Sequence, residues 1–235
     1  MENKKSIGLI KGFPLIKFQT ADRIKMFQDG LLYMNSLATF REMYRDAQDN
    51  VIGDPNEGKL VIHEAVMFIE GSSRPQVIHD QALSTAGEND FVFCMYGVNS
   101  EKRATSAFSE EFKCEIQKKY DTALLVTDQQ QFFNRVAQKV LADSLDMKGD
   151  FVQYYDPQSD DVGRLLSLLK GGMHRIGFFK TNNYAYQQEY RFAMPNPQKS
   201  DHYELNIGSI KDISQILPIT EALKCSFVQT SKEEI

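Results

Sequence analysis

The sequence predicts an α+β fold with a mixed, largely antiparallel β-sheet and flanking helices. Three observations lead to this prediction. Short runs rich in β-branched and aromatic residues alternate with segments of helical periodicity, the order is not a strict βαβ repeat, and the most strand-like stretches lie near the end of the chain. Because we find no internal repeat and no long linker, we expect residues 1–235 to form a single α+β domain.

In the first half of the chain, helices are indicated where a hydroxyl residue precedes an amphipathic run, since such side chains cap helix starts, and where glycine ends the run. Alternation of apolar and polar residues indicates strands instead. The elements predicted are a strand at 15–19, a helix between Thr20 and Gly30, a strand at 31–35, a helix from 37 to about 45 capped by Ser36, a glycine- and proline-containing loop, and strands at 60–69 and 91–98.

The second half of the chain gives the same signals, with a stronger strand pattern toward its end. The elements predicted are a helix at 110–120 capped by Ser109, a strand at 122–127, a longer helix capped by Asp128, a strand at 151–155, a helix at 162–170, a hairpin of strands 176–180 and 184–194 turned at 181–183, a strand at 203–207 and a helix near 211–217.

Composition and charge exclude several classes of protein. The chain has 27 basic and 32 acidic residues without a dense Lys/Arg cluster, which disfavours generic binding of nucleic acid. No apolar run approaches the roughly 18–20 residues that cross a bilayer, and the start of the chain is not a secretory signal. Cys94, Cys114 and Cys225 lack CxxC spacing, so we expect reduced thiols, no structural metal site and a cytoplasmic protein without a membrane segment.

Familiar catalytic motifs are missing from the sequence. It contains no GxxxxGK[ST] phosphate loop, no GxGxxG, no HExxH and no GxSxG. The four histidines are isolated from one another, which is typical of surface or packing residues rather than metal ligands. Function must therefore be sought in less familiar arrangements of side chains.

The sharpest local pattern is YAYQQEYRF at 184–192. If this segment is extended, alternation places Gln187, Glu189 and Arg191 together on one face of the strand. One interpretation is a solvated sheet face with a weak ion pair. Another is functional, because a carboxylate held beside an amide can bind a ribose hydroxyl and stabilise an oxocarbenium-like centre.

A second pattern is the acidic stretch that follows the helix predicted at 37–45. Carboxylates crowd this stretch and could together bind a divalent cation through oxygen ligands, although their spacing is not that of an EF-hand. The alternative is structural, with Arg41 or Arg45 pairing with a carboxylate and so fixing the loop. The acidic residues concerned are Asp46, Asp49, Asp54 and Glu57.

The two ends of the chain resemble a widespread, uncharacterised bacterial family. Its members begin with an extended Y-K-Y/F segment, a helix and G-x-L-Y-F, which is similar to LIKFQTADRIKMFQDGLLYMNSLATFRE in this chain. They close with a lysine, an aromatic residue and a Y-E/Q-x-E-Y/W-R strand, matched by Lys180, Tyr184 and 186–191. The resemblance covers about residues 14–58 and 178–213, and after Phe40 this sequence departs from the family's Asn-Asp-Pro.

The order of elements is also similar to the core of the ADP-ribosyltransferase superfamily, whose Gln-x-Glu element matches Gln187 and Glu189. The resemblance implies that NAD is the cofactor, that Glu189 engages its nicotinamide ribose and that Gln187 orients the acceptor. It also implies NAD contacts from the first strand, from the serine of the second strand, and from nearby aromatic and basic side chains. The candidate cofactor-binding residues are Lys17, Ser36, Arg41, Tyr44 and Arg191.

Three functions follow from these patterns. The first is an NAD-dependent ADP-ribosyltransferase or NAD glycohydrolase of a bacterial toxin or phage-defence system, acting on NAD or a related nucleotide and on a protein acceptor. The second is a non-catalytic binding module in such a system, recognising a nucleotide or a partner protein. The third is a metal-dependent nuclease using the acidic stretch, although the (P/E)D…ExK spacing of many nucleases is missing.

Overall fold

The computed structural model describes residues 13–47, 53–67, 74, 76–84, 87–97, 108–158 and 176–227. The strands in these ranges are β1 (Leu15–Gln19), β2 (Leu31–Ser36), β3 (Lys59–Met67), β4 (Gln76–Ser84), β5 (Phe91–Gly97), β6 (Thr122–Val126), β7 (Lys148–Phe151), β8 (Gln153–Tyr155), β9 (Phe179–Thr181), β10 (Glu189–Met194), β11 (His202–Asn206) and β12 (Ser214–Pro218). The α-helices are α1 (Ala21–Gln28), α2 (Leu37–Ala47), α3 (Glu110–Lys119), α4 (Gln129–Ala142) and α5 (Ile219–Ala222). Short 3-10 helices lie at Ile176–Phe178, Asn182–Gln187 and Lys211–Ile213.

Helices accompany a large, mostly antiparallel sheet, so the predicted α+β class is confirmed. Eight of the strands that lie in the described ranges belong to this sheet. Two further pairs form small sheets, with β3 antiparallel to β4 and β8 parallel to β9. The chain divides into two compact units, one comprising residues 1–32, 95–144 and 206–235, and the other residues 33–94 and 145–205. A single domain stays a prediction.

The first unit places β6 between β1 and β12, antiparallel to both. Side chains of β1 and β6 are buried because apolar residues occupy most positions of these strands. Aromatic rings complete its core, with Phe18 packing edge-on against Phe108 and Phe112. The expected caps of two helices are present, since Ser109 accepts from the backbone N–H of Phe112, and Asp128 caps α4 in the same way.

The second unit contains β10, which pairs antiparallel with β7, and the small sheets β3–β4 and β8–β9. Helix α2 begins as the sequence predicts, because Ser36 Oγ accepts a hydrogen bond of 3.1 Å from the N–H of Thr39. The core is a cluster of buried apolar side chains contributed by elements that include α2, β3, β5, β8, β9 and β10. Its members are Leu37, Leu60, Ile62, Val92, Tyr155, Ile176, Phe178, Phe179 and Ala193.

The hairpin predicted at 176–194 is wrong. β9 pairs in parallel with β8, whereas β10 pairs with β7, so the two segments do not pair with each other. Between them residues 182–187 form a 3-10 helix, and Gln188 then adopts a left-handed backbone conformation with φ 41° and ψ 54°. The partners that decide this arrangement lie more than twenty residues earlier in the chain, so local alternation could not reveal them.

Two other predicted elements also differ from the structure. The helix predicted near 211–217 is wrong, because only 211–213 are helical and β12 follows, held by pairing with β6 along its whole length. Strand β4 was missed, since its polar sequence carries little strand signal without its partner β3. The helix predicted at 162–170 lies outside the described residues.

The length and apolar character of the helices bear on whether the chain could span a membrane. Among the residues that the structure describes, no helix has both the length and the apolar character needed to cross a bilayer.

Candidate functional site

Two acidic and two basic side chains meet in the interior of the second unit. We call Glu57, Lys180, Glu189 and Arg191 the buried quartet, because all four are at most 8% exposed. Two carboxylates and two cations give the quartet no net charge. Burying charges is costly unless each is paired and hydrogen-bonded, so the geometry of these pairs decides what the site can do.

Arg191 lies at the centre of the quartet. Its Nη1 and Nη2 donate to Glu57 Oε1 and Oε2 at 2.7 and 3.1 Å, which is a two-point pair. Its Nε donates to Glu189 Oε2 at 2.7 Å, and Nη1 also donates to the carbonyl oxygen of Gly177 at 2.6 Å. The guanidinium therefore joins both carboxylates and the backbone before β9 in one network.

Lys180 completes the quartet from β9. Its Nζ donates to Glu189 Oε1 at 2.9 Å and lies 3.3 Å from Glu57 Oε2. A third contact, of 2.6 Å, goes to the amide oxygen Oε1 of Gln187. The ring of Tyr184 lies over the ammonium, with 4.5 Å from Nζ to the ring centre, which is a cation–π contact.

The local backbone explains how Gln187 and Glu189 reach the same ammonium. In a regular strand they would share a face, but Gln187 ends the 3-10 helix and Glu189 begins β10. The left-handed residue Gln188 turns the chain between them. A non-glycine residue in this conformation is strained, and such strain is often found at functional sites.

The charges within the quartet strongly shift the pKa values of its members. Burial alone would raise the pKa of Glu57 and Glu189, yet the neighbouring Arg191 and Lys180 charges lower the pKa of both below the ordinary range. Burial would lower the pKa of Lys180, but Glu189 and Glu57 hold it above its usual value. Both carboxylates are therefore ionised and both cations charged at neutral pH.

Asp54 lies in the same loop as Glu57 and behaves differently. It is 3% exposed, and its Oδ1 accepts a hydrogen bond of 2.8 Å from the N–H of Asn56. Burial, together with the charge of Glu57, raises the pKa of Asp54 to about 6. The loop thus holds one carboxylate that is ionised and one that takes up a proton near neutral pH.

The backbone of this loop is fixed by Arg41 of α2. Arg41 Nη1 donates to the carbonyl oxygens of Glu57 and Glu88, at 2.5 and 2.9 Å, and Nη2 donates to Asn89 Oδ1 at 2.8 Å. The sequence predicted that an arginine would fix the loop, but through a carboxylate. For Arg41 the acceptors are carbonyl and amide oxygens instead. Arg45 does lie beside a carboxylate, with 3.3 Å between its Nε and Asp46 Oδ1, but both side chains are exposed and adjacent on α2.

The residues predicted as an NAD site belong to several elements. Gln187, Glu189 and Arg191 meet at the quartet, as the motif suggested, although Gln187 is not on the strand. Ser36 is 2% exposed and its hydroxyl is engaged by the cap of α2. Tyr44 is half-buried on α2, and Lys17 belongs to β1 of the first unit.

The acidic stretch does not assemble a metal site within the described residues. Both oxygens of Glu57 are engaged by Arg191 and Lys180, and Asp46 is exposed beside Arg45 at 3.3 Å. Asp49 lies outside the described residues. No group of three or more metal-ligating side chains occurs in the part of the chain that the structure describes, and the nuclease hypothesis gains no support.

A polar cleft of about 440 Å³ opens on the same unit. It lies between β3, the turn after β8 and the start of the 3-10 helix after β9. Its lining residues are Val61, His63, Asp156, Pro157, Gln158, Asn182 and Asn183. Sequence reasoning missed this cleft, since its residues come from three separate segments and no motif unites them.

Comparisons of the chain with family models, with curated proteins and with solved structures returned no match. What the site can do therefore follows from its own geometry.

Proposed function

We propose that this protein is a non-catalytic binding module that recognises a nucleotide. The observation that carries the proposal is the polar cleft, whose volume falls in the range of roughly 300–1,000 Å³ typical of small-molecule sites. A carboxylate and carboxamides in its lining offer acceptors for ribose hydroxyls and paired donors and acceptors for a base edge.

The quartet supports binding over catalysis. Stabilising an oxocarbenium-like centre requires a carboxylate whose negative charge reaches the substrate. Each oxygen of Glu189 instead contacts a cation, Arg191 at 2.7 Å or Lys180 at 2.9 Å, and the residue is 8% exposed. Its charge is thus already compensated within the protein, so a structural role fits the geometry better.

The experiment measures binding and turnover together. NAD, ADP and AMP are titrated calorimetrically into the purified chain, and NAD is then quantified by mass spectrometry. We expect nucleotide binding with full recovery of NAD and no free nicotinamide. Asn183→Ala should weaken binding at least fivefold, whereas Asn134→Ala, on α4 of the first unit, should leave it unchanged. Failure of all three nucleotides to bind would contradict the proposal.

A second candidate is an NAD-dependent ADP-ribosyltransferase. The observation that favours it is the convergence of Gln187 and Glu189 on Lys180, at 2.6 and 2.9 Å, despite their separate elements. In this function the substrate would have to displace Lys180 or Arg191 from Glu189. Release of nicotinamide by the wild-type protein, with a cell lysate as acceptor, and its loss in Gln187→Ala would support this candidate. NAD that stays intact would exclude it.

The setting of the protein is proposed from the sequence alone. We propose a cytoplasmic location and a role in a bacterial toxin or phage-defence system, in which a protein partner could act as a second ligand of the module. The resemblance of residues 14–58 and 178–213 to the uncharacterised bacterial family supports this part of the proposal.

A further inference from the structure

The 3-10 helix after β9 connects the polar cleft with the buried quartet. Its first two residues, Asn182 and Asn183, are exposed and line the cleft. Two of its later residues, Tyr184 and Gln187, instead contact Lys180 of the quartet. One short segment therefore lines the proposed binding site and also contacts the charged network.

This helix depends on contacts with the rest of the protein. It has six residues, whereas 3-10 helices longer than roughly 3–4 residues are uncommon because their hydrogen-bond geometry is poor. Thr181 occupies the N-cap position, but its hydroxyl caps none of the described backbone N–H groups of the helix. Side-chain contacts must therefore help to hold this backbone in place.

Lys180 supplies two of these contacts. Its Nζ donates at 2.6 Å to Oε1 of Gln187, the last residue of the helix, and lies 4.5 Å from the centre of the Tyr184 ring. Lys180 also precedes Asn182 by only two positions in the chain. The start of the helix is thus tied to Lys180 through the backbone, and its middle and end are tied to the ammonium.

The ammonium is itself fixed by the two carboxylates of the quartet. Nζ lies 2.9 Å from Glu189 Oε1 and 3.3 Å from Glu57 Oε2, and the side chain of Lys180 is 3% exposed. Such a buried ammonium has little freedom to move, because separating it from its carboxylates would leave uncompensated charges in the interior. The quartet therefore gives this wall of the cleft an anchor with a defined position.

We propose that Lys180 is a positioning residue of the cleft, which holds the 3-10 helix so that the carboxamides of Asn182 and Asn183 meet the nucleotide. This inference rests on the proposed function and gives the quartet a role in binding. Lys180 does not touch the ligand but sets the geometry of residues that do. Preorganised groups bind more tightly, because less conformational entropy is lost when the ligand arrives.

The test loosens the helix while the quartet stays paired. Replacing Lys180 itself would disturb the quartet, so the variant is Gln187→Met, which keeps the length of the side chain but removes the acceptor. NAD, ADP and AMP are titrated calorimetrically into the full chain. We expect the affinity for whichever nucleotide binds to fall about fivefold or more, with little change in melting temperature. Backbone amides of the helix should also exchange hydrogen faster.

Two further variants separate positioning from a general structural role. Gln187→Glu retains an oxygen acceptor for the ammonium and should keep the affinity within about threefold of the wild-type value. Gln130→Met, on α4 of the first unit, removes a side-chain hydrogen bond of 3.1 Å to Asn134 by the same substitution. It should change neither the affinity nor the exchange of the helix amides.

The outcomes distinguish this inference from the proposed function. Unchanged affinity in Gln187→Met, an equal loss in Gln187→Glu, or a loss that only follows a fall in melting temperature would overturn the inference and leave the proposed function standing. Absence of binding of all three nucleotides to the wild-type protein would overturn both.

Discussion

Glu57 and Arg191 are 134 residues apart in the chain and form a two-point ion pair with both side chains 1% exposed. The pair ties the loop before β3 to strand β10. Since Arg191 also binds Glu189, one guanidinium positions the acidic loop and the residue that the sequence suggested as catalytic. This network therefore links the acidic loop, the backbone before β9 and strand β10 within the second unit.

Breaking the Glu57–Arg191 pair should destabilise the protein strongly. Glu57→Gln leaves the quartet with two cations and one carboxylate, and an uncompensated buried charge costs about 3–5 kcal/mol. The free energy of unfolding, measured by urea denaturation, should fall by that amount. The double change Glu57→Gln with Lys180→Met restores neutrality and should recover part of the loss, which a double-mutant cycle quantifies.

The exposed pair Arg135–Asp212 is the control for this experiment. It has a contact of 2.6 Å, similar to those of the quartet, but Asp212 is largely exposed. Asp212→Asn should barely change the urea midpoint, because water screens such pairs. If Glu57→Gln and Asp212→Asn lowered the free energy of unfolding equally, the buried ion pairs of the quartet would contribute no more to stability than an exposed pair.

Replacing Gln188 by glycine should stabilise the protein. With φ 41°, an L side chain is strained by roughly 1–2 kcal/mol, which exceeds the roughly 0.5–1 kcal/mol that glycine costs through the unfolded chain. Gln188→Gly is therefore expected to raise the free energy of unfolding by about 0.5–1 kcal/mol. Ala185→Gly, in the preceding 3-10 helix, has no such strain to relieve and should lower it. A loss of stability in both variants would contradict the explanation.

The elements around the quartet show how far the sequence could predict this structure. The first strand, α1 and the caps of α2, α3 and α4 follow from local signals, and these predictions are confirmed. The cap expected at Thr20 is wrong, because its side chain makes no cap hydrogen bond to α1. The motif residues Gln187, Glu189 and Arg191 could also be recognised, since they lie close in sequence. Their ionic partner Glu57 looks like one member of an acidic stretch, because nothing local indicates that a residue 134 positions away neutralises it.

Long-range pairing also explains where local reasoning failed. The segment 184–187 alternates like a strand, but β9 and β10 take β8 and β7 as partners, and the connection between them becomes helical. The cleft depends on the same pairings, because Asp156 and Asn182 become neighbours only when β8 and β9 lie parallel. Such pairings carry no signal in either segment alone.

Stability should depend on pH through Asp54. Its pKa is raised from 3.8 in the unfolded chain to about 6 when folded, so the folded state takes up the proton first as the pH falls. Between pH 7 and pH 5, protonation of Asp54 should increase the free energy of unfolding by about 1 kcal/mol.

The groups that influence Asp54 are Glu57, Lys180 and Arg191, and their charges do not change in this pH range. The coupled phenols Tyr155 and Tyr184 also stay neutral, since burial raises the pKa of each. Asp54→Asn should therefore remove the increase, as urea titrations at pH 5, 6 and 7 would reveal. An unchanged pH dependence in this variant would assign the effect to another group.

Gly58 should be essential to the shape of the loop. Its φ is +71°, and a Cβ atom would lie 2.8 Å from the carbonyl oxygen of Glu88 and 2.9 Å from Leu37 Cδ1. Gly58→Ala therefore adds a steric clash to a backbone cost of roughly 1–2 kcal/mol. Gly208→Ala is the matched control, because φ is +79° there but no described atom lies within 4 Å of the added Cβ.

Thermal unfolding of the two alanine variants gives the comparison. We expect the melting temperature to fall further for Gly58→Ala than for Gly208→Ala. Only Gly58→Ala displaces the loop backbone at Glu57, whose carbonyl oxygen accepts a hydrogen bond from Arg41. A larger loss for Gly208→Ala would mean that the loop adapts to the side chain.

The most direct test of binding without catalysis is a calorimetric titration of NAD into the wild-type protein, after which nicotinamide is quantified in the titrated sample. We expect a measurable heat of binding, NAD recovered intact, and binding weakened by Asn183→Ala but not by Asn134→Ala. Nicotinamide released by the wild-type protein and abolished in Gln187→Ala would contradict binding without catalysis, because the quartet would then have to open and expose Glu189 to the substrate.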